Sequence, residues 1–469
     1  MLADPRSSNM NHTILGGRDP AASAREIMEA TTARRLIIDP VYRSEARFLP
    51  LRCDMLPGQG NPMQTRRAFA ASLAAAPAVL RGARGYSWTE VERIIARGDV
   101  KGKLTRADLP TPALLLDLDG FQHNVDKMVN HARSRNRALR PHGKTHKCPE
   151  IARRLIQAGA VGACAAKLSE AEVFARHGIR GLLITTAVVG PYKIERAVRL
   201  ARVAPDTIFC VDNAQNARDL NDAAAAARIR IDVAVDLWVG GRTGIAPGEP
   251  AASLVDALQG MKHLRFAGLQ AYAGHASHTK GFQARTRVSR EAMGKAVETR
   301  RMIERKGIAC DLLTGGSTGT YNIDSEIDGV TELQPGSFLF MDVDYNLIGA
   351  SDGNDFYGDF RNTLTVLTTV VSKPNDSLAI VDGGLKAFST DKPFPPRYKG
   401  ADPITYAFGG DEHGKLSFAS GAKTLNVGDK AEFIVPHCDP SVNLYDRIFC
   451  LRGENVEAVW SIAARGMSQ

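Results

Sequence analysis

The stretch ALRPHGKTHKCPEIARRLIQAGAVGACAAKLSEAEVFARHG, residues 138–178, repeats one pattern twice: a short strand-like run, a polar loop, and a helical segment that ends on glycine. Such alternation predicts strand–helix units around a parallel sheet. The pattern extends from residue 105 to residue 345. Eight such units predict an α/β fold with a (β/α)8 TIM-like barrel. The strand-like runs lie at residues 138–144, 162–168, 181–186, 207–212, 232–238, 267–274, 310–318 and 332–340.

The sequence changes character after the barrel region. Between residues 346 and 466, closely spaced β-type runs are separated by Gly, Pro, Asn and Asp turns, without long helical segments. This pattern predicts a smaller, C-terminal all-β domain. The earlier run ALLLDLDG, at 113–120, belongs either to this second domain or to the entrance of the barrel.

Composition narrows the functional classes. The 469 residues are 44% hydrophobic, which is enough for a large core and a smaller one. The net charge is +9, but the basic residues are scattered, so no nucleic-acid partner is predicted. No apolar run reaches the ~20 residues of a membrane-spanning helix, so no membrane partner is predicted either. The seven cysteines form no CxxC pair and are interpreted as mostly buried thiols.

Residues 63–85, MQTRRAFAASLAAAPAVLRGARG, resemble a twin-arginine export signal. Arg66 and Arg67 precede an Ala-rich apolar stretch without acidic residues, which predicts export to the periplasm. An arginine pair before an ordinary amphipathic helix would look the same. Residues 1–62 precede this segment and show no sustained periodicity. Either Met63 is the true start, or residues 1–62 form a disordered extension that masks the signal and keeps the protein in the cytoplasm.

Polar residues concentrate at the predicted C-terminal ends of the barrel strands, where barrel active sites are built. Lys144 closes the first run and could face the barrel mouth. A desolvated lysine beside His142 and His146 would have a lowered pKa and would suit Schiff-base chemistry. On residue types alone, a solvated basic loop fits equally well.

Three further clusters point to the same end of the barrel or to a metal. The loop at 314–320, TGGSTGT, follows the seventh run and suits a phosphate, although a plain Gly-rich turn has the same composition. Arg242 follows the fifth run, and Tyr272 lies near the end of the sixth. In PHCDP (436–440), strand alternation would place His437 and Asp439 on one face, as a two-ligand site for a catalytic metal. Such a pair also occurs in ordinary loops.

In combination, five segments resemble the D-threonine aldolase and D-serine dehydratase family over residues 105–465: RPHGKTHKC, GGSTGT, VDGGLKAFSTD (381–391), FGGDEHGKL (408–416) and PHCDP. The resemblance implies a homodimeric, fold-type III pyridoxal-phosphate enzyme with an alanine-racemase-like barrel. Lys144 then matches the Schiff-base lysine. Arg242 matches the arginine near the phenolic oxygen of the cofactor, and Tyr272 would lie beside the ring. The phosphate would be held by Gly316, Ser317, Thr318, Gly319 and Thr320.

The same resemblance assigns roles toward the substrate. His278 matches the base that acts on the substrate β-hydroxyl in the aldolases, and His437 with Asp439 matches their divalent-metal pair, for Mn²⁺, Mg²⁺ or Zn²⁺. Dehydratases of the family tend to carry His-x-Cys, so Asp439 favours an aldolase. The implied reaction is retro-aldol cleavage of a D-3-hydroxy amino acid to an aldehyde and an amino acid such as glycine.

Several alternatives remain at this stage. A D-serine dehydratase would release pyruvate and ammonia. An amino-acid racemase of the same fold works without metal and would leave His437 and Asp439 unexplained. A non-catalytic cofactor carrier resembles only the barrel, and a periplasmic binding module for small acids would carry no cofactor. The substrate side chain and the identity of the metal stay open.

Overall fold

The computed structural model describes residues 85–469. The extension at 1–62 and all of the predicted export signal except Gly85 lie outside the described residues. Within the described part of the chain, no helix has the length and apolar character needed to cross a membrane.

The described chain begins with a helix and a strand that precede the barrel. Helix α1 (Trp88–Arg97) starts at a capping box, in which the Ser87 side chain accepts from the Glu90 amide and Glu90 accepts from the Ser87 amide. It ends at Gly98, whose φ of 69° suits the residue without a Cβ atom. Strand β1 (Ala113–Asp117) follows.

Residues 85–469 contain an eight-stranded parallel sheet whose strand order is β2-β9-β8-β7-β6-β5-β4-β3. The ring is closed between its first and last strands, where the Cys164 amide donates to the Pro141 carbonyl at 2.9 Å. Each of the eight predicted runs overlaps one strand, so the predicted barrel is confirmed. The strands are β2 Ala138–Leu139, β3 Ala163–Ala165, β4 Leu182–Ile184, β5 Ile208–Val211, β6 Ile231–Asp236, β7 Leu264–Ala271, β8 Leu312–Gly315 and β9 Glu332–Leu333.

Amphipathic helices cover the outside of this sheet and bury their apolar faces against it. The longer ones are α2 Leu118–Ser134, α3 Pro149–Ala158, α4 Leu168–Arg176, α5 Pro191–Val203, α6 Ala214–Ala226, α7 Glu249–Gln259 and α9 Phe282–Arg305. Three one-turn helices lie in the loops that follow β7, β8 and β9: α8 Gly274–Ser277, α10 Tyr321–Asp324 and α11 Val343–Asn346.

One half of the barrel interior is polar. Arg140 donates twice to Glu332, at 2.9 and 2.8 Å, and the Thr314 hydroxyl donates to Glu332 at 2.8 Å. Gln270 donates to Asp236 at 3.0 Å. The other half is filled by a small buried cluster of Cys164, Leu183, Cys210 and Ala234. The polar half fixes the strand end that leads to Lys144, because Arg140 lies on the same segment.

The C-terminal part of the chain is β-rich, as predicted, and it recruits β1. In its main sheet the strand order is β13-β14-β11-β10-β1-β16-β17, while β15 also pairs with β10, and β12 pairs with β15. The run at 113–120 therefore contributes its strand to this unit and not to the barrel. The elements are β10 Leu364–Asn375, β11 Leu378–Val381, β12 Arg397–Tyr398, β13 Ile404–Phe408, β14 Gly414–Phe418, β15 Lys430–Ile434, α12 Cys438–Val442, β16 Arg447–Arg452 and β17 Asn455–Ser461.

The buried ion pair of the barrel interior gives the first prediction. Glu332→Ala leaves the guanidinium of Arg140, a residue that is 8% exposed, without its carboxylate partner. We expect a loss of about 3 to 5 kcal/mol in the free energy of unfolding, because an uncompensated charge stays buried. Urea denaturation followed by circular dichroism measures it. Glu291→Ala, which breaks an exposed pair with Lys295, is the control and should cost less than about 1 kcal/mol. Equal stability of the two variants would contradict this prediction.

Candidate active site

Lys144, Tyr272 and Arg242 meet at the C-terminal mouth of the barrel. Lys144 lies in a single 3-10 turn, Gly143–Thr145, after β2. Its Nζ atom is 5.9 Å from the centroid of the Tyr272 ring, and the Arg242 guanidinium lies 4.8 Å from the same centroid. Gly143 permits this turn, since a Cβ atom there would come within 2.4 Å of the Phe174 ring. The structure thus brings together three of the residues predicted to surround one cofactor ring.

Asp439 of the β-rich unit reaches into the same mouth. Its Oδ2 atom lies 3.4 Å from Lys144 Nζ. The charge of Asp439 raises the pKa of Lys144 and outweighs the opposite effect of burial. Burial alone would raise the pKa of Asp439, but Lys144 and His437 lower it to about 2. The two side chains are therefore an ion pair across the usual pH range.

The expectation of a lowered lysine pKa is wrong for this structure. It assumed that His142 and His146 would add positive charge beside Lys144. Burial instead lowers the pKa of His142, and it lowers the pKa of His146 to about 3, so both rings are neutral near pH 7. The sequence pattern did not indicate that a carboxylate from the second unit would be the nearest charge.

The predicted phosphate loop leads from β8 into α10 and makes hydrogen bonds both within itself and to the segment after β9. The Ser317 and Thr320 hydroxyls lie 2.9 Å apart, and the Thr318 hydroxyl accepts from the Phe338 amide at 2.9 Å. Among the hydrogen bonds of residues 85–469, none uses the amide groups of Thr318 and Gly319. The loop therefore offers backbone donors, more than free hydroxyls, to an anion. Gly316 supplies the left-handed turn, with φ of 77°.

His278 lies next to this loop, directly after α8. A Cβ atom on Gly319 would come within 2.1 Å of the Ser277 carbonyl, so the loop and the histidine segment are in close contact. The centroid of the His278 ring lies 4.5 Å from that of the Tyr345 ring, at a tilt of 42°, and the Tyr345 hydroxyl is 2.8 Å from Ser277 Oγ. His278 Nδ1 lies 3.0 Å from Asp344 Oδ2, an ion-pair distance, although the angle is not that of a hydrogen bond.

His437 and Asp439 do not lie on a strand, so the alternation argument for them is wrong. Strand β15 ends at Ile434. His437 occupies the N-cap position of the short helix α12, and Asp439 lies in the first turn of that helix. His437 Nδ1 lies 2.7 Å from Asp391 Oδ2, which leaves Nε2 as the ring nitrogen available to a metal. One imidazole and one carboxylate suit a divalent ion with open positions. No cluster of three or more His, Cys, Asp or Glu ligands occurs among the described residues.

Sequence reasoning missed the residues that hold these groups in place. Asp344 is in the polar segment MDVDYN after the last barrel strand, a position that could have marked it. Asp391 ends the quoted segment VDGGLKAFSTD, and Lys392 follows it. Arg285 gave no signal because it lies within α9. It is fully buried and donates to four loop carbonyls, those of Thr279, Gly319, Ile348 and Gly349.

Comparisons with known proteins identify the family of this chain. Residues 116–344 match the family profile of the alanine racemase N-terminal domain, and residues 363–451 match that of a serine dehydratase domain. The D-threonine aldolase of an Arthrobacter species is 40% identical over 78% of this chain and 95% of its own length. The 3-hydroxy-D-aspartate aldolase of Paracoccus denitrificans strain Pd 1222 is 37% identical over 77% of this chain and 94% of its own length.

A solved structure shares the fold of this chain. The crystal structure of D-threonine aldolase from Filomicrobium marinum has a TM-score of 0.73 at 36% identity, over 79% of this chain and 99% of the other. Barrel, β-rich unit and their order along the chain are thus shared with these relatives. This chain belongs to the D-threonine aldolase and D-serine dehydratase-like family of fold-type III pyridoxal-phosphate lyases.

Proposed function

We propose that the protein is a pyridoxal-phosphate- and divalent-metal-dependent lyase that cleaves D-3-hydroxy amino acids to an aldehyde and an amino acid such as glycine. The observation that carries the proposal is the contact at 3.4 Å between Lys144 and Asp439. It brings the lysine that would hold the cofactor next to a carboxylate that would hold the metal. The names of the two aldolases among the relatives point to the same substrate class.

The residues around the barrel mouth fit the cofactor. Lys144 would hold it covalently, Tyr272 and Arg242 would flank its ring, and the amides of Thr318 and Gly319 would bind its phosphate. When bound, the cofactor supplies an electron sink for the pair of electrons that is released at the substrate Cα atom. The lysine amine is charged beside Asp439, so it needs to lose a proton before it attaches to the cofactor.

His278 would act as the base. Asp344 stays ionised, because its contacts with His278 and Lys392 outweigh burial and lower its pKa to about 2. Its carboxylate lies at Nδ1 of His278, which leaves Nε2 to accept the proton of the substrate β-hydroxyl. A divalent ion on His437 and Asp439 would lower the pKa of that hydroxyl. The oxygen donor of Asp439 suits Mn²⁺ or Mg²⁺ as well as Zn²⁺.

A D-serine dehydratase is the second candidate, favoured by the match of residues 363–451 to a serine dehydratase domain. In that reaction the substrate loses its Cα proton and its hydroxyl, and the Cα–Cβ bond stays intact. Assembly and location are further parts of the proposal: a homodimer, exported to the periplasm by the twin-arginine segment at 63–85.

Product analysis tests the proposed reaction. Purified protein with pyridoxal phosphate and Mn²⁺ should convert D-threonine to acetaldehyde and glycine, because the Asp439 site favours carbon–carbon cleavage. Lys144→Ala should lose the visible absorbance of the lysine-bound cofactor and reduce kcat about a thousandfold or more. Lys295→Ala, on the outer face of α9, is the matched control and should keep both. Pyruvate and ammonia from D-serine, without cleavage of D-threonine, would contradict the aldolase.

Metal removal tests the role of the His437–Asp439 pair. Chelation should abolish activity without releasing the cofactor, and added Mn²⁺ should restore it, because the metal and the lysine-bound cofactor have separate ligands. Asp439→Ala should stay inactive at the Mn²⁺ concentration that restores the wild type, since a single ligand binds the ion weakly. Asp411→Ala removes an exposed carboxylate of the same unit and serves as the control. Full activity after complete chelation would rule out the metal.

Export is tested by cell fractionation. A chain that starts at Met63 should appear in the periplasm, and the double variant Arg66→Lys, Arg67→Lys should stay in the cytoplasm, because the signal depends on its arginine pair. The same comparison on a chain that starts at Met1 shows whether residues 1–62 mask the signal. Equal periplasmic amounts of parent and double variant would contradict a twin-arginine signal.

A further inference from the structure

The segment at residues 389–392, Ser-Thr-Asp-Lys, lies in the connection between β11 and β12. It is anchored on the backbone of His437. The Ser389 hydroxyl accepts from the His437 amide at 3.0 Å and donates to the His437 carbonyl at 3.1 Å. The Ser389 amide donates to the Ser441 hydroxyl in α12 at 3.2 Å. These bonds fix the position of the next three residues relative to the site.

Asp391 contacts one of the two functional histidines directly. Its Oδ2 atom lies 2.7 Å from Nδ1 of His437, so the carboxylate selects the tautomer and the rotation of the imidazole. The Asp391 side chain is 43% exposed, so its carboxylate is solvated and does not need His437 as a partner in the way that a buried charge would. The contact acts on the histidine more than on the fold.

Lys392 reaches the other functional histidine through Asp344. Its Nζ atom lies 2.7 Å from Asp344 Oδ2, and the same oxygen lies 3.0 Å from His278 Nδ1. Lys392 belongs to the β-rich unit, whereas His278 follows a barrel strand. These two side-chain contacts therefore link the β-rich unit to the barrel at the active site.

We propose that residues 389–392 are a positioning segment that orients both functional histidines, His437 through Asp391 and His278 through Asp344. Neither Asp391 nor Lys392 touches the reacting atoms. Asp391 sets the direction of the His437 Nε2 lone pair toward the metal. Lys392 fixes the carboxylate that lies beside Nδ1 of His278. The inference rests on the proposed function, because that function assigns His437 to the metal and His278 to the base.

The first test measures Mn²⁺ binding to the cofactor-loaded protein by isothermal titration calorimetry. Asp391→Ala should raise the Kd for Mn²⁺ about 10- to 100-fold, the usual cost of losing the partner of a ligating histidine. Asp391→Asn should be less impaired, since its amide oxygen still accepts from Nδ1. The exposed Asp411→Ala should leave the Kd unchanged. Enough added Mn²⁺ should restore the kcat of Asp391→Ala, which a general structural defect would prevent.

The second test separates the His278 branch from the metal. Lys392→Met should lower kcat roughly tenfold, part of the contribution of a positioned base, with the Kd for Mn²⁺ and the cofactor spectrum unchanged. Lys392→Arg keeps the charge and should recover most of the loss. Lys386→Met removes an exposed lysine of the same unit, paired with Glu412, and should have wild-type kcat.

The outcomes distinguish a failure of this inference from a failure of the proposed function. An unchanged Kd for Mn²⁺ in Asp391→Ala, while the wild type binds the ion, overturns the role of Asp391. A kcat of Lys392→Met equal to that of Lys386→Met overturns the role of Lys392. A wild-type protein that cleaves its substrate but binds no Mn²⁺ contradicts the metal-dependent function itself, and the His437 branch with it.

Discussion

The ion pair between Lys144 and Asp439 is the contact on which the site depends, because it places a carboxylate of the β-rich unit beside the lysine at the barrel mouth. Its geometry is set from the barrel side. Asp342, just after the last barrel strand, accepts from the Cys438 amide at 2.8 Å, and the amides of Val343 and Asp344 donate to the carbonyls of residues 435 and 436. The barrel thereby holds the start of α12, which carries Asp439, over its own mouth.

Two pairs of oppositely charged side chains lie in the mouth. Lys144 faces Asp439, and Lys392 faces Asp344, which also lies beside His278. The carboxylates stay ionised and the lysines protonated, while the buried histidines behind Lys144 stay neutral. This balance lets several charged groups persist in a partly buried setting, because both lysines and both carboxylates have partners of opposite charge. It also leaves the Nε2 atoms of His278 and His437 as the uncommitted nitrogens.

The sequence predicted much of this, for definable physical reasons. Strand–helix alternation is local, so all eight barrel strands and the β-rich unit were identified. The quoted motifs located Lys144 and Asp439, and the polar end of the sixth strand located Tyr272. Contacts between segments that are far apart in the sequence could not be predicted from local patterns. The pKa of Lys144 depends on Asp439, almost 300 positions later, and the alternation rule failed at His437 because the strand ends three residues earlier. Asp344 and Lys392 meet only through the packing of barrel and β-rich unit.

The central claim is that one mouth holds both cofactor and metal, the first on the barrel and the second on the β-rich unit. Phosphorus-31 NMR of the cofactor-loaded protein tests it directly, since paramagnetic Mn²⁺ broadens the resonance of a phosphate only when the two are close. The account predicts strong broadening at one equivalent of Mn²⁺, none with diamagnetic Mg²⁺, and none with Mn²⁺ in Asp439→Ala. Stoichiometric binding of Mn²⁺ that leaves the phosphorus resonance sharp would show that metal and cofactor occupy separate sites, and would contradict the account.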